Sequence, residues 1–368
     1  MQSCTFLNIP QHSIVLRQQG ANEVDRVLLK DIIVNTCCGN DVWYAGQTLV
    51  LGARVDRLNP EPYYISDLVL DNVSVDSSGE GIANAQSKEC AKIHNGRNVT
   101  VQNSYFEGWD SQAGNSGSFM ITHTQGLKFY NNRIDRRLML VGREQDQDLS
   151  WDIRDTVVTG RTYLMNQYGI CDGISFTNVD SDVYISDGGS GLPNEARNMN
   201  FTNCQIPVIS NITWKESSFT DCRLPRLVVN NDHRNLLFLR CEIDSLVEFS
   251  SSGEVTGPQN GLKIRECIFR NRVRIRANYT EFVRNRVTRS GDKRLLEHYA
   301  SECNISDNTF HAPDVSSGGY LVFLTGSSSN NTFRRNTFTQ EAPAQHSSRT
   351  VVNSGTGNRV EGNRVERG

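Results

Sequence analysis

The sequence predicts an all-β fold, a parallel β-solenoid, and three observations lead to this prediction. A short strand pattern recurs from Val99 to Asn358, 259 residues in eleven steps, so the mean period is about 23.5 residues. Asn, which favours bends over helices, occurs 35 times in 368 residues. Apolar residues alternate with polar ones in short runs, and no segment shows the 3.6-residue periodicity of a helix.

The repeat reads apolar, any, apolar, any, polar, then Asn, Cys or Ser, any, apolar. Its copies begin at Val99, Leu127, Met199, Ile212, Leu236, Leu262, Thr280, Cys303, Asn331 and Asn358, with weaker copies at Trp151 and Ile174. Alternation turns every second side chain inward, and each coil buries its apolar face by stacking on the next. The interval from Met199 to Ile212 is too short for a coil, which indicates a tight corner or a misassigned strand.

A second column of strand patterns lies between these copies and checks the register independently. Its members lie at 91–94, 119–122, 138–141, 163–166, 183–186, 207–210, 226–230, 246–250, 273–277, 294–299, 320–324 and 350–353. The steps vary, as expected if a fixed coil carries loops of different lengths. A leucine-rich repeat has a similar period but needs more Leu and a helix on each coil, so it is excluded.

The Asn, Cys or Ser position of the repeat predicts an inward-facing bend. Asn side chains stacked there would form a hydrogen-bonded ladder that satisfies the polar backbone groups of the bends. The ten Cys show no CxxC pair and no zinc-site spacing, and several lie in apolar runs. We therefore expect buried, reduced thiols. A vicinal disulfide between Cys37 and Cys38 is the alternative.

The domain prediction is one solenoid over residues 1–368, with looser coils in 1–90 and regular coils in 91–368. The looser region still contains strand patterns, as in VLLKDIIVN (27–35) and DLVLDNVSV (67–75). We expect about a dozen or more coils in a single continuous β-helix.

Charge and hydropathy exclude several partners. The formal net charge of −3 leaves no electrostatic footprint for nucleic acid or an anionic membrane. No stretch approaches the ~20 apolar residues of a membrane span, and the first residues lack the pattern of a signal peptide. We expect a virion-borne or extracellular protein, either a homotrimer or one whose solenoid ends are capped by another chain.

At this point the chain resembles the right-handed parallel β-helix proteins of the pectin-lyase-like superfamily. The resemblance rests on the segments NVTVQNSYF, GLKFYNNRI, NMNFTNCQI, ECNISDNTF and NNTFRRNTF, and it covers 100–365 best. Members are mostly polysaccharide lyases, glycoside hydrolases, epimerases and phage tailspike depolymerases, while others are adhesins or fibres. The Asp-Asp-Thr cap of tailspikes, the epimerase motif and the polygalacturonase series are absent here.

The resemblance implies a protein that acts on an acidic or surface polysaccharide as a lyase or glycoside hydrolase of the tailspike type. The alternative is a non-catalytic fibre or a glycan-binding adhesin. Enzymes of this shape work on the outward side chains of one sheet and the loops beside it, so the site must be sought there.

Residues 91–187 offer the most varied chemistry on consecutive coils, and we expect the site there. His123 is the predicted base, Arg143 the cation that faces a substrate acid, and Glu144 or Asp187 an acid or a metal ligand. A hydrolase needs two carboxylates instead, and stacked coils bring carboxylates close enough for either stereochemical course. The predicted carboxylates are Glu144, Asp146, Asp148 and Asp187. The predicted substrate-binding residues are Lys92, His94, Trp109 and Tyr168.

Two further features remain open. Glu297-His298-Tyr299 is a second candidate cluster, and the arginines of 265–289 form an outward stripe that would hold an acidic glycan or pair with neighbouring acids. No metal or cofactor is expected to take part in the reaction. The segment EQDQD (144–148) offers oxygen ligands for Ca²⁺, but its spacing is not that of an EF-hand loop.

Overall fold

The computed structural model describes residues 1–7, 14–18, 24–35, 49–53, 64–76, 90–108, 119–141, 149–165, 170–186, 195–206, 208–210, 213–229, 233–250, 255, 257–288, 294–312, 321–340 and 350–367. Apart from one 3₁₀ turn, every regular element in these ranges is a β-strand, which confirms the all-β prediction. In the same ranges, no helix is long and apolar enough to cross a membrane. The chain folds as two compact units, Met1–Leu192 and Pro193–Gly368.

The first unit consists of β-strands, of which Trp151–Met165 and Ile174–Ser186 are the longest. They are β1 (Gln2–Leu7), β2 (Ile14–Gln18), β3 (Val24–Asp25), β4 (Leu28–Asn35), β5 (Leu49–Ala53), β6 (Ile65–Ser66), β7 (Val69–Asp76), β8 (Ala91–His94), β9 (Gly96–Gln102), β10 (Tyr105–Glu107), β11 (Phe119–Thr122), β12 (Gln125–Tyr130), β13 (Arg133–Asp135), β14 (Arg137–Val141), β15 (Trp151–Met165), β16 (Ile170–Asp172) and β17 (Ile174–Ser186).

Successive coils of this unit stack through parallel strands in three columns. β8, β11 and β14 form one column, β9 and β12 the second, and β10 and β13 the third. β4 pairs with β7 and β5 with β8, so the predicted plan extends into residues 1–90. Inward residues such as Val101, Leu127 and Phe129 are fully buried. Lys128, which lies between Leu127 and Phe129 in β12, faces outward.

The second unit is built in the same way. Its strands are β18 (Glu195–Arg197), β19 (Asn200–Thr202), β20 (Val208–Ser210), β21 (Thr213–Lys215), β22 (Ser218–Thr220), β23 (Arg223–Leu224), β24 (Leu227–Val229), β25 (His233–Arg234), β26 (Leu237–Leu239), β27 (Glu242–Ile243), β28 (Val247–Phe249), β29 (Lys263–Arg265), β30 (Ile268–Phe269), β31 (Val273–Ile275), β32 (Glu281–Val283), β33 (Arg286–Thr288), β34 (Leu296–His298), β35 (Asn304–Ser306), β36 (Thr309–Ala312), β37 (Val322–Leu324), β38 (Thr332–Arg334), β39 (Thr337–Gln340), β40 (Val351–Asn353), β41 (Arg359–Glu361) and β42 (Arg364–Arg367), and the 3₁₀ turn is Pro258–Asn260.

Three parallel columns run through this unit. The first contains β19, β22, β26, β29, β32, β35, β38 and β41. The second contains β23, β27, β30, β33, β36, β39 and β42. The third contains β20, β24, β28, β31, β34, β37 and β40. This third column coincides with the independently predicted strand column, which confirms the register.

Like residues stack on like inside the columns. The rings of Phe201 and Phe219 lie 4.6 Å apart between centroids, and those of Phe219 and Phe238 lie 5.0 Å apart, in both cases nearly parallel. Each ring is buried. Repetition of the inward residue type therefore gives a continuous apolar core, as the repeat predicts.

The repeat copy predicted to begin at Ile212 is wrong, because its start is shifted from the position that stacks on Met199. Phe219 stacks on Phe201, so the coil that follows Met199 begins at Ser217 and not at Ile212. Trp214 belongs to an extra parallel strand, β21, which pairs with β18. The short interval therefore reflects a misassigned strand, because an apolar-any-apolar triplet looks the same in either column.

Bends between strands use the left-handed backbone conformation. Asn103 and Asn131 end their strands with φ of 53° and 50°, a conformation that Asn tolerates better than most residues. In the second unit, charged residues hold several of the same positions. Arg240 donates two hydrogen bonds, of 2.6 and 2.7 Å, to the carboxylate of Asp221 on the preceding coil.

The buried residues that follow these bends form the predicted ladder. Asn308 Oδ1 accepts two hydrogen bonds from Asn285, one from its backbone N–H at 2.8 Å and one from the Asn285 Nδ2 at 3.1 Å. Asn308 Nδ2 in turn donates to the Phe282 carbonyl and to Asn336 Oδ1, both at 2.9 Å. Asn363 continues the ladder by accepting from Asn336. Backbone groups that would otherwise be buried without partners are thus satisfied.

Cys residues occupy the same ladder position on the preceding coils. Cys204, Cys222, Cys241 and Cys267 are each buried and unoxidised, and the Cys267 backbone N–H donates to Asn285 Oδ1 at 2.9 Å. The seven Cys whose side chains the structure describes are free thiols. The expectation of buried reduced thiols is confirmed for six of them, and Cys4 is partly exposed. Cys37 and Cys38 lie outside the described residues.

Candidate functional site

Three of the eight predicted site residues lie in described parts of the chain, and five do not. Lys92, His94 and His123 are described, whereas the residues outside the described ranges are Trp109, Arg143, Glu144, Tyr168 and Asp187. The carboxylates of 144–148 and the expectation of a Ca²⁺ site there also lie outside them.

Lys92 and His94 project from β8 toward the outside of the coil. Ala91 and Ile93 alternate with them and are fully buried. His94 is partly buried, and its Nδ1 forms a hydrogen bond with Thr122 Oγ1 on the next coil. The structure therefore anchors this imidazole on the outer face of the column, with Nε2 as its second ring nitrogen.

His123 is the bend residue of the next coil. Its φ of 52° is left-handed, and its backbone N–H donates to the Val141 carbonyl at 3.0 Å. Asn95 holds the same position one coil earlier, with φ of 47°. His94 and His123 thus lie beside the same bend on adjacent coils, and His123 also has a backbone role that the sequence did not predict.

The most specific polar arrangement on residues 91–187 is a pair of carboxylates joined by a tyrosine. Tyr105 and Glu107 face outward from β10, and the neighbour of Glu107 on the next coil is Asp135 in β13. The Tyr105 hydroxyl lies 2.5 Å from Glu107 Oε2 and 2.9 Å from Asp135 Oδ2. The two carboxylate oxygens are therefore no farther apart than the sum of these distances. We refer to Tyr105, Glu107 and Asp135 as the carboxylate pair site.

The surroundings of the two carboxylates differ. Arg133, also in β13, contacts Asp135 at 2.9 Å. Among the described residues, Glu107 has only the Tyr105 hydroxyl as a side-chain partner. Asp76 in β7 lies next to Glu107 on the preceding coil, so three acids follow one another in register. One member of the pair thus has a cation beside it and the other does not.

Tyr105 is fixed as a proton donor by its position. Burial, and then the hydrogen bonds to Glu107 and Asp135, raise the pKa of its hydroxyl well above the ordinary value. Ionisation would place a third negative charge beside two carboxylates. The hydroxyl therefore stays protonated and holds the two acids at a set separation.

A neighbouring face carries a related arrangement with a single carboxylate. The Tyr130 hydroxyl donates to Asp152 Oδ2 at 2.9 Å, and Arg154 Nε donates to Asp152 Oδ1 at 2.7 Å. Burial and then the hydrogen bond to Asp152 raise the pKa of Tyr130. Within the part of the chain that the structure describes, the hydrogen bonds and ion pairs of this trio include no second acid, so it serves as an internal comparison for the carboxylate pair site.

The sequence contains a signal for this pair. When NSYFE and NNRID are aligned as repeat copies, Glu107 and Asp135 fall in the same outward column. The prediction concentrated on acidic loops instead and missed both residues. Both residues fall within the range 91–187, and the location of the site in that range stays a prediction.

Comparison with known proteins gives one family match. The family described as right handed beta helix region matches residues 209–365, which is less than half of the chain. No curated protein matches the sequence. The matched segment covers most of the second unit, where the parallel columns are longest.

Among the solved structures that are similar, one illustrates the low levels of identity and superposition. It is the crystal structure of PfbA, a surface adhesin of Streptococcus pneumoniae, with 9% identity and a TM-score of 0.30 over 99% of this chain and 82% of that chain. A TM-score this low supports no functional argument. The stacked parallel columns confirm the predicted fold, a right-handed parallel β-helix, and the family match to residues 209–365 agrees with it.

Proposed function

We propose that the protein cleaves a polysaccharide by hydrolysis at the carboxylate pair site. The observation that carries the proposal is that one hydroxyl, Tyr105 Oη, bonds to carboxylates on two adjacent coils. Retaining glycosidases use two carboxyl groups about 5–5.5 Å apart, and the contacts of 2.5 and 2.9 Å to Tyr105 Oη keep the two carboxylate oxygens no farther apart than the upper end of that range.

The surroundings suggest a role for each acid. Arg133 beside Asp135 suits an ionised nucleophile that attacks the anomeric carbon. Glu107, without a cation among its described contacts, suits the acid that protonates the departing glycosidic oxygen. Water, deprotonated by Glu107, then releases the sugar from its ester with Asp135, so that one water is consumed for each bond cleaved.

The test is a panel of polysaccharides assayed for new reducing ends and for ultraviolet absorbance of unsaturated products. Hydrolysis gives reducing ends without absorbance. Glu107→Gln and Asp135→Asn should each lower turnover by about 10²-fold or more, because each removes a group that transfers a proton or forms the covalent bond. Asp152→Asn is the matched control, since Asp152 also accepts from a tyrosine but has no second acid, and its turnover should stay within about twofold.

Other outcomes would assign different functions. Absorbance together with reducing ends would indicate elimination, with His123 and Arg143 as the predicted base and cation. Binding of a polysaccharide without cleavage would favour the adhesin or fibre alternative. Full activity in both the Glu107 and Asp135 variants would contradict the proposed site.

A further inference from the structure

A cluster of arginines surrounds one buried carboxylate on the outer face of the second unit. Glu248, Arg274, Glu297 and Phe323 are register neighbours on β28, β31, β34 and β37. We use the name arginine cluster for four guanidinium groups, three of which contact Glu297 and one of which contacts Glu248. They belong to Arg272, Arg274, Arg276 and Arg294.

Glu297 is the centre of the cluster although it projects from the outer face of the sheet. Its side chain is only 2% exposed. Arg274 Nε donates to Oε2 at 2.7 Å, Arg294 Nη1 donates to Oε1 at 2.8 Å, and Arg272 Nη1 reaches Oε1 at 3.4 Å. A buried carboxylate thus fixes the direction of three guanidinium groups.

Two aromatic rings hold the outer arginines. The Arg276 guanidinium lies 4.3 Å from the centroid of the Tyr299 ring, and that of Arg294 lies 5.2 Å from the Phe323 centroid. Arg276 Nε also contacts Glu248 Oε1 at 2.8 Å. Stacking and ion pairing reduce the side-chain freedom that a flexible arginine loses on binding a ligand.

The cluster has more donors than its carboxylates can satisfy. Four arginines face two acids, Glu248 and Glu297, within the described residues. A guanidinium offers about five N–H donors and a carboxylate about four lone pairs, so donors outnumber acceptors by more than two to one. Arg272 Nε is buried and has no hydrogen-bond partner in the described structure.

The central carboxylate stays ionised. Burial alone would raise the pKa of Glu297, but hydrogen bonds from Arg294 and Arg274 and the charge of Arg272 outweigh burial and hold this pKa below its ordinary range. Glu297 therefore organises the cluster but neutralises only part of its charge.

We propose that the arginine cluster is a binding site for oxyanions, the carboxylate or sulfate groups of a ligand, received chiefly by Arg272 and by Arg276. These two side chains are 21% and 45% exposed, so a ligand can reach both from solvent. Planar guanidinium groups match carboxylate and sulfate oxygens with paired hydrogen bonds. The site lies in the second unit, and its binding does not depend on hydrolysis at Glu107 and Asp135.

The test measures binding of sodium sulfate, dextran sulfate, carboxymethyl dextran and uncharged dextran to the full chain by calorimetry at low and moderate salt. We expect at least one anionic probe to bind and dextran not to bind. Binding of sodium sulfate assigns a free-ion site, and binding of the polymers alone assigns a glycan site. Arg272→Gln and Arg276→Gln should each weaken binding about tenfold, because each removes a charged hydrogen-bond donor.

Arg286→Gln is the matched control. Arg286 is an exposed arginine in β33 on another column, so its substitution makes the same change in net charge. The affinity of the Arg286→Gln variant for the anionic probes should stay within about twofold of that of the original protein. Thermal unfolding confirms that each variant is folded, and Arg276, the more exposed residue, keeps the test valid if Arg272→Gln unfolds. Absence of binding by all anionic probes, or equal weakening by Arg286→Gln, would overturn the proposal.

Discussion

At the scale of single residues, His298 shows how an inward position changes the chemistry of a side chain. It follows Glu297 in β34, but it points into the core, level with Ile275 and Leu324 on the adjacent coils. It is fully buried, and neither ring nitrogen has a hydrogen-bond partner among the described residues. Burial lowers the pKa of His298 to about 4, so the folded protein holds a neutral imidazole there.

We predict that His298 makes stability depend on pH in a defined window. Its pKa in the folded protein, about 4, lies below the unfolded value of about 6.5, so the unfolded chain gains the proton first as pH falls. The contribution of neutral His298 to the free energy of unfolding is fully present above about pH 6.5, and it is lost as the pH falls from there to about 4. The difference corresponds to about 3 kcal/mol.

The measurement is urea unfolding of the original protein and of His298→Leu at pH 7.5 and pH 4.5. Leu matches the apolar neighbours and does not titrate, so the variant should lose less stability between the two pH values. The difference between the two proteins removes the contribution of the other histidines. An equal loss of stability in both would show that His298 is not responsible.

The buried Asn residues show how a single side chain serves two coils. Asn308 accepts from Asn285 and donates to Phe282 and Asn336. We predict that Asn308→Ala lowers the free energy of unfolding by about 3 kcal/mol, because it leaves buried donors and acceptors on both neighbouring coils unsatisfied. Chemical denaturation measures the loss.

The control is Asn200→Ala. Asn200 is exposed in β19, and its side chain accepts one hydrogen bond from Ser218 Oγ at 2.7 Å. Its substitution should cost no more than about 0.5 kcal/mol. Similar costs at both positions would contradict a special role for the ladder.

At the scale of elements, strand columns can be predicted because their inward positions repeat. The 3.3 Å rise and two-residue alternation of a strand fix which residues face inward, and stacking copies the choice onto the next coil. The strands at 119–122 and 273–275 lie where the second predicted column places them. The frame error at Ile212 arose where an added strand, β21, carries the same alternation.

The candidate site was less predictable because function depends on contacts between coils. The pairing of Glu107 with Asp135 requires the register of β10 and β13, and the pattern within either strand shows only that these acids face outward. The pattern within β34 likewise does not predict the burial of Glu297, because this burial results from Arg272 and Arg274 on the preceding coil. Arg143 and Glu144 lie outside the repeat of the sequence, so the stacking of repeat copies cannot predict their position.

At the scale of the whole molecule, surface charges pair mostly between coils. Examples are Arg335 with Asp307 at 2.7 Å and Arg284 with Glu266 at 2.8 Å. Such exposed pairs contribute about 0–1 kcal/mol each. The buried ladder and the stacked aromatic core therefore determine stability, and both act between neighbouring coils.

Because these contacts join neighbouring coils only, we predict how far along the chain a destabilising substitution acts. In a solenoid each coil contacts only its neighbours, so stability is close to a sum of local terms. Asn308→Ala should therefore speed amide hydrogen exchange in its own coil (β35 and β36) and in the two neighbouring coils (β32, β33, β38 and β39). Exchange in β9–β14, residues 96–141 of the first unit, should remain as in the original protein. Hydrogen exchange read by mass spectrometry resolves the two regions. Equal acceleration in both would show that the chain opens as one cooperative body, and the nearest-neighbour description of this β-helix would then be wrong.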